Sequence, residues 1–223
     1  MQSKKESMKK LEKALDGGKV DLEMLPVLEK INQIGDYHTT SSCSGRVNLF
    51  EVKGFGAKGT LNSLGKWHEG VAESEFLPAV DKHKANELWL KVEPPILHVV
   101  CSDFESAKKL LSAAYAAGFK HSSIKSGGMS FMVEITSTER MELPLGKGGK
   151  VLVDEDYLKF VLKMSNEKLK KSKEKLKRFV KELASFESEE VKITEEQLRN
   201  ALNKVSLQIL PSEANKRTSS KKK

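Results

Sequence analysis

The chain has 223 residues, of which 38% are hydrophobic, 6% aromatic and 31% charged, a length and composition for one domain with an ordinary to slightly lean core and room for an appended helical piece. Lys and Arg outnumber Asp and Glu by 39 to 31, and the net charge of +8 points toward nucleic acid. No apolar run of about 18 residues could span a membrane, and the charged first twenty residues hold no apolar signal core, so a cytoplasmic protein is expected.

In chain order, Ser3-Lys4-Lys5-Glu6 fits a capping box. Met8, Leu11 and Leu15 follow on one helical face, and Gly17-Gly18 stops that helix. Leu25, Leu28, Ile31 and Ile34 make a second amphipathic piece, which admits Pro26 only in its first turn. Then comes Tyr37-His38-Thr39-Thr40-Ser41-Ser42-Cys43-Ser44-Gly45-Arg46, with almost no apolar residue. It reads either as an anion- or amide-binding corner or as a Ser/Thr-rich turn with a solvated arginine. In the first reading Ser42 and Ser44 donate and accept, Gly45 lets backbone approach a ligand, and Arg46 offers a planar fork. Regular structure begins behind it, with Val47–Val52 as a strand.

Lys53–Gly59 is a flexible basic loop, and Trp67-His68 lies on what reads as another loop. Leu88–Val92 and Ile96–Cys101 are strands flanking Glu93-Pro94-Pro95, and their apolar runs suit central positions. Asp103 caps a helix over Phe104–Ala117 that Gly118 ends, and Phe131–Ile135 is the next strand. Arg140–Leu145 and Val151–Val153 bracket a hairpin turn at Gly146–Lys150. Asp154 caps a long helix with a narrow stripe of Leu158, Leu162, Ser165, Leu169, Ser172, Leu176, Phe179 and Leu183. Thr194–Leu207 forms a short helix, and Lys216–Lys223 is a basic, disordered tail. The expected organisation is one α+β catalytic domain over 1–190, with a short helix and tail over 191–223. Its sheet is mixed or antiparallel, helices pack on it, and the long C-terminal helix lies on the surface.

No glycine-rich loop opens a helix after a strand and no Walker spacing follows Gly146, so the fold is not a Rossmann nucleotide binder. His38, His68, His83, His98 and His121 show no metal spacing, and no metal is expected. Cys43 and Cys101 read as free thiols in a reducing compartment, and Cys43 has no histidine partner that could make it a nucleophile. His98 alternates within a strand, as a half-buried histidine would. Trp67 either stacks on a base or folds back onto the core, and the neighbouring His68 can move protons. Paired carboxylates for hydrolysis are not visible. The helix face with Lys170, Lys173 and Lys177 is either a solvated face or a contact for RNA phosphates.

Six stretches together resemble the wybutosine-synthesising protein 3 family of tRNA methyltransferases. They are Asp36–Arg46, Trp67-His68, Glu93–Val99, Gly118–Ile124, Thr136–Leu145 and Asn166–Leu169, in family order. Ser165 stands where the family usually has Ala. The resemblance implies S-adenosylmethionine-dependent N4-methylation of demethylwyosine, a tricyclic guanosine derivative, in the anticodon loop of phenylalanine tRNA. It also implies an α+β fold distinct from the Rossmann methyltransferases. Ser42, Cys43, Ser44, Gly45, Arg46, Trp67, Thr136, Ser137, Thr138, Glu142 and Asn166 then bind substrate or cofactor. His68 or His98 is the general base. Ser42, Ser44 and Arg46 could hold either the carboxylate of the substrate's amino-carboxypropyl arm or that of the donor. The contrasting expectation is a non-catalytic RNA-binding accessory protein that clamps an anticodon arm.

Overall fold

A computed structural model describes residues 3–54, 61–127 and 130–186. The expected helix at 194–207, the basic tail, the whole 191–223 segment and most of the 53–59 loop lie outside these residues.

The local signals act where expected. Helix α1 (Lys4–Asp16) starts at the reciprocal box, with Ser3 Oγ accepting from the Glu6 amide and Glu6 returning the contact to the Ser3 amide. Helix α2 (Leu25–Gln33) carries Pro26 in its first turn, after a 3₁₀ turn at Leu22–Met24. Asp103 caps α4 (Phe104–Ala117), which closes on Gly118 at φ +100°. Asp154 caps the 28-residue α5 (Glu155–Glu182).

The strands are β1 (Tyr37–Cys43), β2 (Arg46–Val52), β3 (Asn62–Trp67), β4 (Glu87–Glu93), β5 (Ile96–Cys101), β6 (Ser123–Gly127), β7 (Ser130–Thr136), β8 (Met141–Lys147) and β9 (Lys150–Val151). They form two sheets, β1-β5-β7-β6 and β3-β2-β4-β8-β9, in which every pairing is antiparallel. The hydroxyl-rich run is therefore a strand up to Cys43, not a turn. β5 pairs with the run on both sides of an irregularity at Thr40, while the Thr39 amide donates to Asn32 Oδ1 at 2.9 Å. Helix α3 (Glu73–Val80) follows β3 and keeps Pro78 inside it.

The two sheets are one set of strands bent once. Cys43 pairs with Ile96 in the first sheet and Arg46 with Glu93 in the second, so Ser44-Gly45 and Pro94-Pro95 cross together. The third strand does the same, with Ile96 opposite Thr136 and Val92 opposite Met141. Each sheet covers its own core. Leu97, Val99, Val133 and Ile135 pack with α2 and α4, while Val47, Leu49, Leu88 and Leu90 pack with α3. Helix α5 splints the two: Leu158, Val161, Leu162 and Leu169 enter the second core, Leu176 and Phe179 the first. Its apolar stripe is as narrow as the sequence suggests, with Ser165 and Ser172 buried along it and bonded back to their own helix at 2.7 Å each.

Candidate active site

The three bends bring the motif residues side by side. Gly45 sits at φ +90°, and a Cβ there would stand 2.8 Å from the Glu93 carbonyl oxygen. Only glycine lets these two crossings nest. One residue on, Arg46 Nε donates to Glu93 Oε2 at 2.6 Å, and Asn48 Nδ2 donates to the same oxygen at 2.9 Å. Arg46 is thus held rather than free, with one of its five guanidinium donors committed. Lys91 stands 3.6 Å from Glu93 and 3.9 Å from Glu142, which places Glu142 on β8 beside the same wall.

Strand β3 ends at Trp67 opposite Val47, so His68 emerges beside the first bend. Trp67 belongs to a strand rather than a loop, and its ring is tilted against Phe76 with centroids 6.3 Å apart. Asp21 approaches from the segment before α2. Its Oδ2 accepts the Ser44 amide at 2.7 Å and lies 3.5 Å from His68 Nδ1. Ligand atoms of Asp21, Cys43 and His68 all fall within 4.8 Å of one another. Asp21, first, and Cys43 push the His68 pKa up to about 9, against the effect of burial. Burial alone would raise Asp21, but His68 and the Ser44 amide hold its carboxyl far below the usual range. At neutral pH this corner pairs a carboxylate with an imidazolium 3.5 Å away, with the Cys43 sulfur within 4.8 Å of both.

Helix α5 fixes both flanks of the corner. Asn166, Lys170, Lys173 and Lys177 share one helical face by spacing. Asn166 Oδ1 accepts the Val71 amide at 3.0 Å while Nδ2 donates to the Val71 carbonyl at 2.9 Å, fixing the segment just after His68. Lys173 Nζ reaches Glu23 at 2.6 Å and Glu69 at 3.9 Å. Lys173 is therefore mostly buried and engaged, whereas Lys170 lines an open groove of about 460 Å³ with Asn166 and Val71, and Lys177 is exposed.

The other nominated residues divide. Thr136 closes β7 with its Oγ1 buried and without a hydrogen-bond partner, and the hydroxyls of Ser137 and Ser44 are likewise buried. Thr138 is exposed, and its carbonyl accepts the Arg140 amide at 2.7 Å. Ser42 lines a second cavity, against α1. His98 belongs to a separate polar row: Nδ1 lies 2.6 Å from Ser41 Oγ and Nε2 lies 2.8 Å from Glu134 Oε2, which Lys125 also contacts. The residue that sequence reasoning misses is Asp21. It precedes a 3₁₀ turn like a cap but makes no capping bond, and only the fold aims it at Ser44.

The same trio is the set of described residues able to approach a metal ion. A tetrahedral zinc shell with ligands at about 2.0–2.3 Å would hold its donor atoms roughly 3.3–3.8 Å apart, a spacing the 3.5 Å between Asp21 and His68 already meets.

The family pattern described as Methyltransferase TYW3 matches residues 2–185, which include every element above. The chain belongs to the TYW3 methyltransferase family. A relative from Pyrococcus horikoshii named tRNA(Phe) 7-((3-amino-3-carboxypropyl)-4-demethylwyosine(37)-N(4))-methyltransferase 1 is 45% identical over 168 residues, 75% of this chain and 86% of the relative. A Methanocaldococcus jannaschii protein with that name, without the final numeral, is 43% identical over 171 residues, covering 76% and 89%. Among solved structures, the PH1069 protein of Pyrococcus horikoshii aligns with a TM-score of 0.78 at 45% identity, over 81% of this chain and 93% of that one. A hypothetical protein from Aeropyrum pernix aligns with a TM-score of 0.64 at 33% identity, over 73% and 96%. The TYW3 fold is thus α+β with antiparallel sheets and a long final helix, as expected from the sequence. Among the described residues no helix is long and apolar enough to cross a membrane.

Proposed function

We propose that this chain methylates N4 of the 7-(3-amino-3-carboxypropyl)-4-demethylwyosine base at position 37 of phenylalanine tRNA, using S-adenosylmethionine. The observation that carries the reading is the ion pair of Asp21 and His68 beside Cys43, at the first of the three aligned bends. Close relatives named for this reaction supply the substrate.

S-adenosylmethionine brings a methyl group on a sulfonium, open to in-line displacement. The residues present fit its amino-acid head. A cavity of about 210 Å³ is lined by Thr39, Ser41, Ser42, Lys10 and Lys19 over apolar Leu11 and Leu28, and the buried Ser7 Oγ has no partner there. Hydroxyls, ammonium groups and an apolar floor suit an amino-acid head on a thioether chain.

The chain's own residues position and deprotonate. A base in the anticodon loop can be splayed out without opening a duplex pair. Holding it against the donor in an attack geometry can account for about 7–11 kcal/mol of the barrier. The acceptor nitrogen must lose a proton, and in this reading neutral His68 accepts it, with the Asp21 carboxylate 3.5 Å away stabilising the imidazolium. Lys170 and Lys177 are available for phosphates of the anticodon arm.

The test is methyl transfer from labelled donor to tRNA carrying the arm-bearing base, with His68→Gln and Asp21→Asn alongside. Each substitution is expected to lower turnover by about 10²–10⁴-fold with the fold intact. No donor binding in a calorimetric titration, or wild-type turnover in both variants, would remove the assignment.

A further inference from the structure

A small cavity of about 150 Å³ opens at the line of bends, and its wall includes Cys43, Arg46, Lys91, Glu93, Thr136 and Arg140. At about 30 Å³ per water it holds roughly five water volumes. Nucleoside-sized sites run from about 300 Å³ upward. The cavity therefore suits a short side arm, not a tricyclic base and not the donor.

Its chemistry is that of an α-amino acid. Arg46, Lys91 and Arg140 offer positive charge, and Glu93, fixed by Arg46 and Asn48, offers one carboxylate in the same wall. A phosphate dianion would meet that carboxylate; a zwitterion can use both signs. Two groups are uncommitted. Thr136 is 5% exposed and its Oγ1 lacks a hydrogen-bond partner, a state that buried hydroxyls seldom keep without a ligand. Arg140 is exposed and makes no ion pair among the described residues. Cys43 belongs both to this wall and to the Asp21–His68 corner, so the two sites adjoin through it.

We infer that this cavity is the subsite for the substrate's 3-amino-3-carboxypropyl arm, an assignment that rests on the reaction proposed above. Arg140 and the uncommitted donors of Arg46 take the arm's carboxylate, Thr136 Oγ1 donates to the same group, and Glu93 takes the ammonium. The hydroxyl-rich cavity beside α1, about 210 Å³, is left to the donor's amino-acid head alone, which separates the two carboxylates that the motif alone leaves interchangeable. Arm binding then orients the base, so that energy from a remote group is realised as turnover. A base lacking the arm leaves these polar groups unpaired, and such sites reject the shorter analogue strongly.

The experiment compares two phenylalanine tRNAs, one with the arm-bearing demethylwyosine and one with armless demethylwyosine. Methyl transfer and equilibrium tRNA binding are measured for wild type, Arg140→Gln and Thr136→Val, each checked by a melting curve. Wild type should favour the arm-bearing tRNA by about a hundredfold in kcat/KM. Arg140→Gln should cut that preference at least tenfold in both rate and binding, and Thr136→Val severalfold. Donor affinity of Arg140→Gln, titrated without tRNA, should stay at the wild-type value. A preference that survives in Arg140→Gln, an equal fall for both tRNAs, or weakened donor binding each overturns the subsite. Wild-type protein that methylates neither tRNA overturns the reaction itself, and the subsite with it.

Discussion

Lys173 Nζ lies 2.6 Å from Glu23, two residues past the aspartate that holds the Ser44 amide, and 3.9 Å from Glu69, the residue after His68. One ammonium thus ties together the two chain segments that bear the proposed base and its carboxylate partner. Lys173→Met is expected to lower kcat by about tenfold through misplacement of His68, since small displacements of a positioned group are felt strongly. The salt dependence of tRNA binding should not change. By contrast Lys170→Gln and Lys177→Gln should each reduce the slope of log affinity against log salt by about 0.7–0.9. A Lys173→Met variant with reduced slope and unaltered kcat would return this lysine to the phosphate-binding face.

A second expectation concerns pH. His68 must shed a proton before it can accept one, and its pKa is pushed up to about 9 by Asp21 and Cys43. Transfer should therefore rise with pH through neutrality and level off near 9, and His68→Gln should lose that dependence. Stability runs the other way. The folded pKa lies above the ordinary 6.5, so the stabilisation is complete below 6.5 and is lost as pH rises through about 9. Paired pH–rate and pH–melting curves show the two opposed trends, and a flat rate profile would exclude His68 as the base.

Gly45→Ala tests the nesting of the bends. The substitution places a Cβ 2.8 Å from the Glu93 carbonyl oxygen at a backbone φ of +90°. Strain of this kind costs about 1–3 kcal/mol, read from denaturant unfolding. Turnover should fall further than stability implies, because Ser44, Arg46 and the Glu93 wall all shift with the bend. An alanine variant of wild-type stability would mean that the crossings have room to separate.

Glu51 offers a contrast away from the site. Its buried carboxylate accepts from His83 Nδ1 at 2.7 Å, the Lys84 amide at 2.8 Å, the Ala85 amide at 3.2 Å and Asn62 Nδ2 at 3.0 Å. Burial raises its pKa, but these donors outweigh burial and bring it from 4.5 down to about 2. Its stabilisation is present above about 4.5 and disappears as pH falls toward 2. Glu51→Ala strands those donors and should cost about 3 kcal/mol. Per molecule folded, methyl transfer at neutral pH should stay at wild type.

A fifth measurement addresses metal. Extended dialysis against EDTA should leave methyl transfer unchanged, since the proposed steps at Asp21, Cys43 and His68 use only protons and charge. Lost activity that zinc alone restores would reassign the trio as ligands.

The helix limits were legible in the sequence because they are set locally. Ser3, Asp103, Asp154 and Gly118 each act on amides or carbonyls within one turn. The strand character of Tyr37–Cys43 was not legible, since hydroxyl-rich runs become strands only when a partner such as β5 takes up their backbone groups. Within the site, Cys43, Ser44, Arg46, His68 and Thr136 do converge. Asp21 stayed hidden because its role depends on an amide 23 residues away, and Lys173 is not legible as an internal tie, rather than a phosphate contact or a solvated group, because Glu23 and Glu69 cannot be placed near it from the sequence.

That α5 contributes to both cores has a consequence for how damage spreads. The two halves of the molecule share a seam but have separate interiors, and the site lies on the seam. A cavity cut into either interior, at Val133 or at Leu90, leaves the other interior intact and lets the two halves pivot about the aligned bends, with α5 as the long brace among the described residues. Catalytic geometry then behaves as an alignment between two solid pieces. It should fail by degrees as either piece loosens, well before the protein unfolds.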